Sequence, residues 1–357
     1  MDANKDTVRI GIYGTGRFAN QTHLPNLSRL PHVELVAASD PNPAALADAA
    51  AAYSIPLTYQ DPHQMLAEAE LDALYSIVPA FARTDVEAAA AASGIHLFSE
   101  KPQSTRMEVA RRIADAVDEG GVLSTVCFRE RYRPLFQEAR RLLADKTVTH
   151  VRFQNIGGLA PLQADVADPQ NWHYQMDKAG GHAFDWGVHA VDYTRYMTGL
   201  NFVKAQAFYH HPPAYNKPLS CSFNFLLENG APMSSTFLAT TPTAPGDEPR
   251  FTIFYEGGYL ALWMYERIEV NGEIVYEPEE FDPWFAQDQA FTEAVRTGDS
   301  TLILNDYSDG LYSLGPVLAG WESARRAGEL IDVAEFMRRL TRSTIETAIR
   351  LIGVRRQ

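Results

Sequence analysis

A glycine-rich turn near the start of the chain constrains the fold more than any other feature. Residues 14–19 read Gly-Thr-Gly-Arg-Phe-Ala, and they follow an apolar segment at 8–13 with the composition of a buried strand. The first glycine allows a tight turn, the second lets the backbone approach a pyrophosphate, and a small residue at the last position lets the next helix pack on the strand. The pattern predicts a dinucleotide diphosphate site formed by Gly14, Thr15, Gly16, Arg17, Phe18 and Ala19.

A carboxylate at the end of the second predicted strand extends this interpretation to the cofactor. Asp40 lies 21 positions after Ala19 and directly follows the strand predicted at 33–39. At that place a carboxylate can accept hydrogen bonds from both hydroxyls of an adenine ribose, and it repels a 2′-phosphate. We therefore expect NAD as the cofactor, with NADP as the alternative because Arg17 could pair with the extra phosphate.

The order of apolar segments predicts the fold class. Strand-like segments at 73–78, 96–99 and 122–128 alternate with predicted helices, which favours a doubly wound parallel α/β sheet of the Rossmann type. From residue 129 the pattern changes to a helix, a strand and six further strands between 203 and 270, several joined by hairpin turns. We predict a dinucleotide-binding domain over 1–128. A substrate-binding and oligomerisation domain of the α+β class, with a large, mostly antiparallel open sheet, should occupy 129–357, and its C-terminal helices could pack back on the first domain.

Charge and cysteine content exclude several classes of function. Lys and Arg number 31 against 45 Asp and Glu, giving a net charge of −14. Nucleic acids and anionic membranes both attract basic surfaces, so we expect neither as a partner. Cys127 and Cys221 are too few for a disulfide framework or a cysteine-based zinc site, and we expect two reduced core residues and no metal. Without the pattern of a signal peptide or a long apolar run, a cytoplasmic protein is the expectation.

Two further segments carry side chains suited to catalysis. Glu100-Lys101-Pro102 follows the strand at 96–99, which puts Lys101 at the carboxyl edge of the sheet, where α/β folds bind ligands. Asp185 and His189 are four residues apart on a predicted helix, so both lie on one face. Histidine titrates near neutral pH and suits proton transfer, and a carboxylate one turn away can orient it or contact the substrate. A surface lysine and a structural helix pair are the alternative interpretations.

Together with the glycine turn, these motifs resemble the glucose–fructose oxidoreductase / inositol 2-dehydrogenase (Gfo/Idh/MocA) family over nearly the whole chain. The resemblance implies that Lys101, Asp185 and His189 form the catalytic set. It implies hydride transfer between a nicotinamide and a sugar, inositol or related polyol. In that scheme His189 takes the hydroxyl proton, Lys101 holds the substrate oxygen, and Asp185 positions the substrate or His189. The resemblance also implies a homodimer or homotetramer.

The same resemblance adds binding residues. Cofactor contacts are implied at Val78, Pro79, Glu100 and Lys101. Substrate contacts are implied at Arg131, Trp172, His173, His182, Asp185 and His189. The chain departs from the family pattern after the fourth strand, where Ala80 and Arg83 stand in place of the usual Asn and His.

Two other functions use the same parts. An enzyme that retains NAD could oxidise and re-reduce its sugar during glycoside cleavage or epimerisation. A regulator could bind the dinucleotide or a sugar without catalysis. The altered segment at 79–83 favours the regulator, and the intact set of Lys101, Asp185 and His189 argues against it.

Overall fold

The computed structural model describes a chain of helices packed on two separate β-sheets. It covers residues 6–157, 163–167, 171–172, 175–239 and 248–339. The two sheets contain six and nine strands. They correspond to the predicted parallel and mostly antiparallel sheets.

The first sheet is parallel throughout. Its strands are β1 (Val8–Tyr13), β2 (Val33–Ser39), β3 (Leu57–Tyr59), β4 (Ala73–Ser76), β5 (His96–Ser99) and β6 (Ser124–Val126). They lie in the order β3-β2-β1-β4-β5-β6, so the strand order reverses between β1 and β4. In open α/β sheets, ligands bind outside the carboxyl ends of the strands at such a reversal. The glycine turn follows β1 directly and therefore lies at this crevice.

Helices cover both faces of this sheet. A π-helical segment (Ala19–His23) continues into α1 (Leu24–Leu27), followed by α2 (Pro43–Tyr53), α3 (Pro62–Glu68), α4 (Val86–Ala92) and α5 (Met107–Gly120). Asn42 caps α2 by accepting from the N–H groups of Ala44 and Ala45. Neither β3 nor α3 is predicted from the sequence. β3 has only three residues, and its pairing with β2 defines it.

The second sheet is antiparallel except for one pair. Its strands are β7 (Val148–Ile156), β8 (Phe202–His210), β9 (Ser220–Leu227), β10 (Pro232–Leu238), β11 (Phe251–Tyr255), β12 (Gly258–Trp263), β13 (Arg267–Val270), β14 (Glu273–Tyr276) and β15 (Ile331–Asp332). Their order is β14-β13-β12-β11-β7-β10-β9-β8-β15, and β7 pairs with β10 in parallel. In β9, buried and exposed residues alternate, so one face of the sheet is covered and the other is open.

The remaining helices pack on one face of the second sheet or return to the first. They are α6 (Pro134–Leu143), α7 (Met176–Ala179), α8 (Gly181–Thr198), α9 (Pro283–Thr297), α10 (Tyr307–Arg325) and α11 (Val333–Arg338). Gly187 lets α8 approach α10, since a Cβ there would lie 3.1 Å from Val317 Cγ1. Helix α9 returns to the first sheet, where Gln287 donates to the carbonyl of Val126 at 2.9 Å.

Both cysteines are free and buried, as predicted. Among the described residues, no helix has both the length and the apolar composition needed to cross a bilayer.

Candidate active site

The glycine turn adopts the geometry that the motif predicts. Gly14 has φ +97°, and a Cβ at this position would lie 2.8 Å from the carbonyl oxygen of Ile77 and 2.9 Å from Val78 Cγ1. Only glycine fits such a left-handed, crowded position without strain. A Cβ on Gly16 would meet nothing within 4 Å, so the backbone there is open to an approaching ligand. Ala19 is buried, which allows the close packing that the motif needs.

Asp40 lies against this turn. One of its carboxylate oxygens accepts from the Thr15 N–H at 2.8 Å, and the other accepts from the Asn42 N–H at 2.8 Å. These bonds fix the carboxylate at the end of β2. Thr15 Oγ1 is buried and has no hydrogen-bond partner in the part of the chain that is described. An open glycine backbone, a helix N-terminus and a fixed carboxylate fit a dinucleotide whose ribose has a free 2′-hydroxyl.

Arg17 and Phe18 lie exposed at the rim of the turn. The Nε of Arg17 donates to Gln21 Oε1, a neutral surface group, at 3.1 Å. A bound phosphate could take the place of Gln21 as the acceptor. The π-helical segment that follows the rim ends at His23. Such widened turns occur often at functional sites, and this one directs an imidazole into the interior.

Arg83 has a structural role at the cofactor edge that sequence reasoning missed. It is almost fully buried, and its Nη1 donates to Glu87 Oε1 (2.8 Å), Ser99 Oγ (2.8 Å) and Ser76 Oγ (3.1 Å). Its Nη2 donates to the carbonyl oxygens of Val78 and Glu100. Arg83 thus joins the carboxyl ends of β4 and β5 and holds the backbone of two predicted cofactor contacts. The departure from the family pattern was visible in the sequence, but these partners were not.

A buried histidine bridges two carboxylates beneath Lys101. His23 Nδ1 lies 2.9 Å from Asp288 Oδ1 on α9, and its Nε2 lies 3.0 Å from Glu100 Oε1. Burial alone would lower the pKa of His23, but the charge of Asp288 and the hydrogen bonds to Asp288, Cys127 and Glu100 raise it well above its usual value. Burial favours the neutral form of Glu100, yet its bond to His23 holds its pKa below the ordinary range. Glu100 Oε2 in turn accepts from the Lys101 N–H at 3.0 Å.

His23, Glu100 and Cys127 lie close enough together to suggest a metal site. The chemistry argues against that interpretation. Burial raises the pKa of the Cys127 thiol to about 12. Both ring nitrogens of His23 are already engaged by carboxylates.

The structure brings Lys101 and Asp185 into direct contact. Lys101 Nζ donates to Asp185 Oδ1 at 2.7 Å, although the two residues are 84 positions apart. Lys101 follows strand β5, and Asp185 lies on helix α8. The Lys101 side chain is 15% exposed and that of Asp185 is 56% exposed. The ammonium is therefore sheltered, while the carboxylate reaches open space at the crevice between the two sheets.

His189 lies one turn further along α8 and is buried. Its Nδ1 is 2.9 Å from the hydroxyl oxygen of Tyr193, and the two rings stack. Burial, with added repulsion from Lys101 and Arg129, lowers the pKa of His189 well below its usual value. The imidazole is therefore neutral at neutral pH. When Nδ1–H donates to the Tyr193 hydroxyl, Nε2 carries a lone pair and can accept a proton.

Two cations that sequence reasoning missed interact electrostatically with His189 and Asp185. Arg129 follows β6 and is buried beside Glu130 and the ring of Trp284, and its charge acts on His189. Lys217 is buried in the connection between β8 and β9; burial lowers its pKa, and the nearby carboxylate of Asp185 opposes that shift. No motif marks either residue, because the chain reaches the site at these points only through the tertiary fold.

The structure gives Arg131 a different role from the predicted substrate contact. Its guanidinium donates to both oxygens of Asp192 (3.1 and 2.6 Å), to Asp309 Oδ2 (2.7 Å) and to the Leu304 carbonyl (2.9 Å). These bonds tie the turn after β6 to α8 and α10. Because the guanidinium is committed to this buried network, the predicted substrate contact finds no support. The sequence could not show this, since the acceptors lie 61 to 178 positions away.

The other predicted substrate contacts are described in part. The Trp172 ring lies 5.5 Å from that of Phe81, on the short 3-10 turn Ala80–Ala82 after β4, where Pro79 precedes the turn. Trp172 therefore lies near the dinucleotide edge. His182 belongs to the first turn of α8, but its side chain, like the whole of His173, is outside the described residues.

The fold combines a dinucleotide-binding parallel sheet with a second open sheet, and a lysine and a histidine lie where the two sheets meet. This is the arrangement of a class of NAD-binding oxidoreductases. Two family models match the sequence: "Oxidoreductase family, NAD-binding Rossmann fold" over residues 8–128, and "GFO/IDH/MocA C-terminal domain" over residues 136–261. The chain therefore belongs to the Gfo/Idh/MocA family of oxidoreductases, and the resemblance drawn from its motifs is confirmed.

Individual relatives are distant. The scyllo-inositol 2-dehydrogenase (NAD(+)) of Bacillus subtilis is 26% identical over 216 residues, covering 59% of each chain. The rhizopine catabolism protein MocA of Rhizobium meliloti is 30% identical over 195 residues, covering 54% of this chain and 57% of that relative. The chain thus spans less than two thirds of the curated relatives that it matches.

Solved structures share the fold over a longer stretch. A scyllo-inositol dehydrogenase from Lactobacillus casei, with bound NAD(H) and scyllo-inositol, superposes with a TM-score of 0.72 at 20% identity, covering 92% of this chain and 99% of that one. An oxidoreductase from Thermotoga maritima gives a TM-score of 0.79 at 22% identity, covering 92% and 99%. At these identities the likeness establishes the architecture.

Proposed function

We propose that this protein is an NAD-dependent dehydrogenase or reductase that acts on a CH–OH group of a sugar, inositol or related polyol. One observation carries the proposal: Lys101 Nζ and Asp185 Oδ1 meet at 2.7 Å beside the neutral, buried His189. An ammonium, a carboxylate and an uncharged base are the groups needed to remove a hydroxyl proton while a hydride leaves the same carbon.

The cofactor would lie along the carboxyl edge of the first sheet. Gly14, Gly16 and the helix N-terminus would hold its diphosphate, and Asp40 would accept from the adenine ribose. When bound, NAD supplies the hydride acceptor at its nicotinamide ring. Asp40 repels a 2′-phosphate, so NAD is preferred over NADP.

The protein's own residues would handle the proton. His189 Nε2 accepts the hydroxyl proton, and the Tyr193 hydroxyl holds the ring through Nδ1. Lys101 donates to the substrate oxygen and stabilises the negative charge that develops on it. Burial keeps His189 neutral, and the charge of Lys101 adds to that effect. Asp185 holds the Lys101 ammonium in place, and its exposed carboxylate oxygen can accept from a neighbouring substrate hydroxyl.

The assignment of the substrate class rests on the family. Of the proteins named above, two are scyllo-inositol dehydrogenases and one is a protein of rhizopine catabolism. We propose the same class of substrate for this chain and name no single compound. The same proposal includes a domain boundary between residues 128 and 129 and assembly into a homodimer or homotetramer. Light scattering of the purified protein would measure the number of subunits.

The experiment compares turnover in the wild type and three variants. NADH formation at 340 nm is measured over a panel of polyols and aldoses with added NAD. Lys101→Met and His189→Asn are each expected to reduce kcat by about 10²- to 10⁴-fold, the range typical for loss of an acid–base group. Arg141→Gln changes a surface residue on α6 and serves as the matched control.

The same experiment separates the alternatives. Cofactor that co-purifies and cycles without net use of added NAD would indicate the NAD-retaining glycosidase or epimerase type. NAD binding without turnover of any compound, unaffected by Lys101→Met, would indicate a regulator and contradict the proposal.

A further inference from the structure

The lysine of the candidate active site lies beyond the hydrogen-bond ladder of the first sheet. Strand β5 ends at Ser99, and its pairing with β4 and β6 ends at the same residue. Lys101 follows two positions later, outside the paired residues. Its N–H donates to a side-chain oxygen, Glu100 Oε2, at 3.0 Å. The position of the Lys101 backbone therefore depends on how firmly the Glu100 carboxylate is held.

His23 holds that carboxylate from the other side. Its Nε2 lies 3.0 Å from Glu100 Oε1, and its ring is fully buried. The backbone of Glu100 is fixed separately, since its N–H donates to the Ser76 carbonyl at 2.9 Å and its own carbonyl accepts from Arg83. The Glu100 side chain thus connects the buried imidazole to the peptide N–H of Lys101, with one carboxylate oxygen on each.

A second carboxylate fixes the orientation of the imidazole. His23 Nδ1 lies 2.9 Å from Asp288 Oδ1 on α9, 265 positions further along the chain. Asp288 is itself fully buried, and its other oxygen accepts from Asn26 Nδ2 at 2.9 Å. Because both ring nitrogens face a carboxylate, the ring cannot turn without leaving a buried polar group unsatisfied, which is costly.

Aromatic rings enclose the same imidazole. The rings of Phe98 and Tyr75 meet it edge to face, with centroid distances of 5.1 and 5.9 Å. Phe18, at the rim of the glycine turn, meets it at 5.7 Å. His23 also ends the π-helical segment that directly follows this turn. The side chain that holds Glu100 is therefore itself held on several sides.

Stability alone is a weak reason for this arrangement. Buried charges are costly to desolvate, and well-packed apolar residues of similar volume often stabilise a protein as well or better. Here the chain of buried polar groups runs from Asp288 through His23 and Glu100 to the N–H of Lys101. The other end of that lysine, its ammonium, donates to Asp185 at 2.7 Å. The two ends of Lys101 are thus held by separate groups.

We propose that His23 is a positioning residue for the reaction and acts through Glu100 on the backbone of Lys101. This inference rests on the proposed function and adds to it a residue that does not touch the substrate. The Lys101 ammonium has to turn from Asp185 toward the substrate oxygen, and a fixed backbone confines that movement to the side chain. Misplacement of a reacting group by about 1 Å can cost about 10²-fold in rate, so a change at the base of the lysine affects its ammonium.

The first test measures turnover in variants of the two residues. His23→Phe keeps an aromatic ring and removes both bonds, and Glu100→Met removes the acceptor of the Lys101 N–H. Each is expected to lower kcat by about 10²-fold, with a much smaller change in KM for the polyol. Glu100→Gln keeps a hydrogen-bonding partner for both the N–H and the imidazole, so it should retain most of the wild-type rate.

A matched histidine serves as the control. His32 Nε2 lies 3.1 Å from Thr292 Oγ1 on the same helix α9, and neither residue contacts Glu100 through a described hydrogen bond. His32→Leu should lower the urea concentration of half-unfolding and leave kcat of the folded protein unchanged. If it lowers kcat as much as His23→Phe does, the effect is a general loosening of the interior and the proposal is wrong.

The second test observes the lysine in the free protein, without cofactor or turnover. Acetylation of Lys101 by acetic anhydride is compared with that of the exposed Lys146 by mass spectrometry of peptides. The Lys101 side chain is only 15% exposed and is bonded to a carboxylate, so it should react more slowly than Lys146. In His23→Phe and Glu100→Met, the ratio of Lys101 to Lys146 labelling should rise by about tenfold, the factor for loss of one charge-assisted hydrogen bond. His32→Leu should leave the ratio unchanged.

The outcomes separate this inference from the proposed function. If kcat and the labelling ratio of His23→Phe stay at wild-type values, the inference is overturned and the proposed function stands. If the wild type forms no NADH with any polyol, the proposed function fails, and the labelling ratio alone decides whether His23 positions the lysine. If His23→Phe does not fold, Glu100→Met and Glu100→Gln carry the same comparison, and equal rates in these two would overturn the inference.

Discussion

Replacement of Arg83 by Met tests how the cofactor edge is held. The side chain is 1% exposed, and it supplies hydrogen bonds to Glu87, two serines and two backbone carbonyls. Met has a similar length and no charge, so the variant removes the bonds with little change in volume. Glu87 is then left fully buried with Ser76 Oγ, at 2.7 Å, as its remaining described donor.

The size of the effect follows from that uncompensated carboxylate. Breaking a buried ion pair by removal of one partner costs about 3–5 kcal/mol in free energy of unfolding. A domain of ordinary stability has about 5–15 kcal/mol in total, so the variant should fold but unfold at much lower urea concentration. Because the carbonyls of Val78 and Glu100 lose their donor, NAD affinity should fall as well.

Urea unfolding at neutral pH measures the stability change, and a fluorescence titration measures NAD binding. Arg141→Met removes the exposed ion pair to Glu138 and is the matched control, with an expected change within about 0.5 kcal/mol. The double variant Arg83→Met with Glu87→Leu replaces both charges and should regain much of the loss. If Arg83→Met costs less than about 1 kcal/mol, or the double variant is as unstable as the sum of its parts, the argument is wrong.

Three further predictions concern single titratable groups. Asp40→Ala should weaken NAD binding and shift the ratio of NAD to NADP affinity toward NADP by about tenfold or more, measured by titration with each cofactor; an unchanged ratio would contradict the ribose assignment. In a plot of kcat/KM against pH, the acid limb should lie below pH 6.5. The pKa of His189 is lowered, so its imidazole stays neutral until the pH falls below that pKa. An acid limb above pH 6.5 would exclude His189 as the base. His23 has a raised pKa, so its contribution to stability is complete below pH 6.5 and disappears as the pH rises through the raised pKa. The stability lost in His23→Gln should therefore be larger in urea unfolding at pH 6 than at alkaline pH, and an equal loss at both would refute the charged bridge between Asp288 and Glu100.

Local patterns in the sequence determined most of the secondary structure. The strands at 33–39 and 96–99 have the predicted bounds, and the helix and strand predicted after residue 129 are present as α6 and β7. These segments are long or strongly patterned, so hydrophobic periodicity and capping residues decide them. β14 and the two residues of β15 lack such a pattern, and pairing with a neighbouring strand creates them.

The glycine turn was also readable from the chain alone. Gly14 has the left-handed φ that the local motif requires, and its close approach to Ile77 follows from the pairing of β1 with β4. Asp40 bonds to Thr15 because the ends of β1 and β2 are adjacent in any sheet of this order. In the same way, the position of Lys101 at the carboxyl edge follows from the strand that precedes it.

Only the tertiary structure decided which charges meet. Nothing in the sequence indicates that Arg83 joins two strand ends, that Arg131 pairs with Asp192, or that the charge of Arg129 acts on His189. Charged side chains have no periodicity that reveals their partners, and their energies depend on burial and on neighbours distant along the chain. The chain by itself thus defined the elements and the cofactor turn, while the packing of the two sheets set the electrostatics of the site.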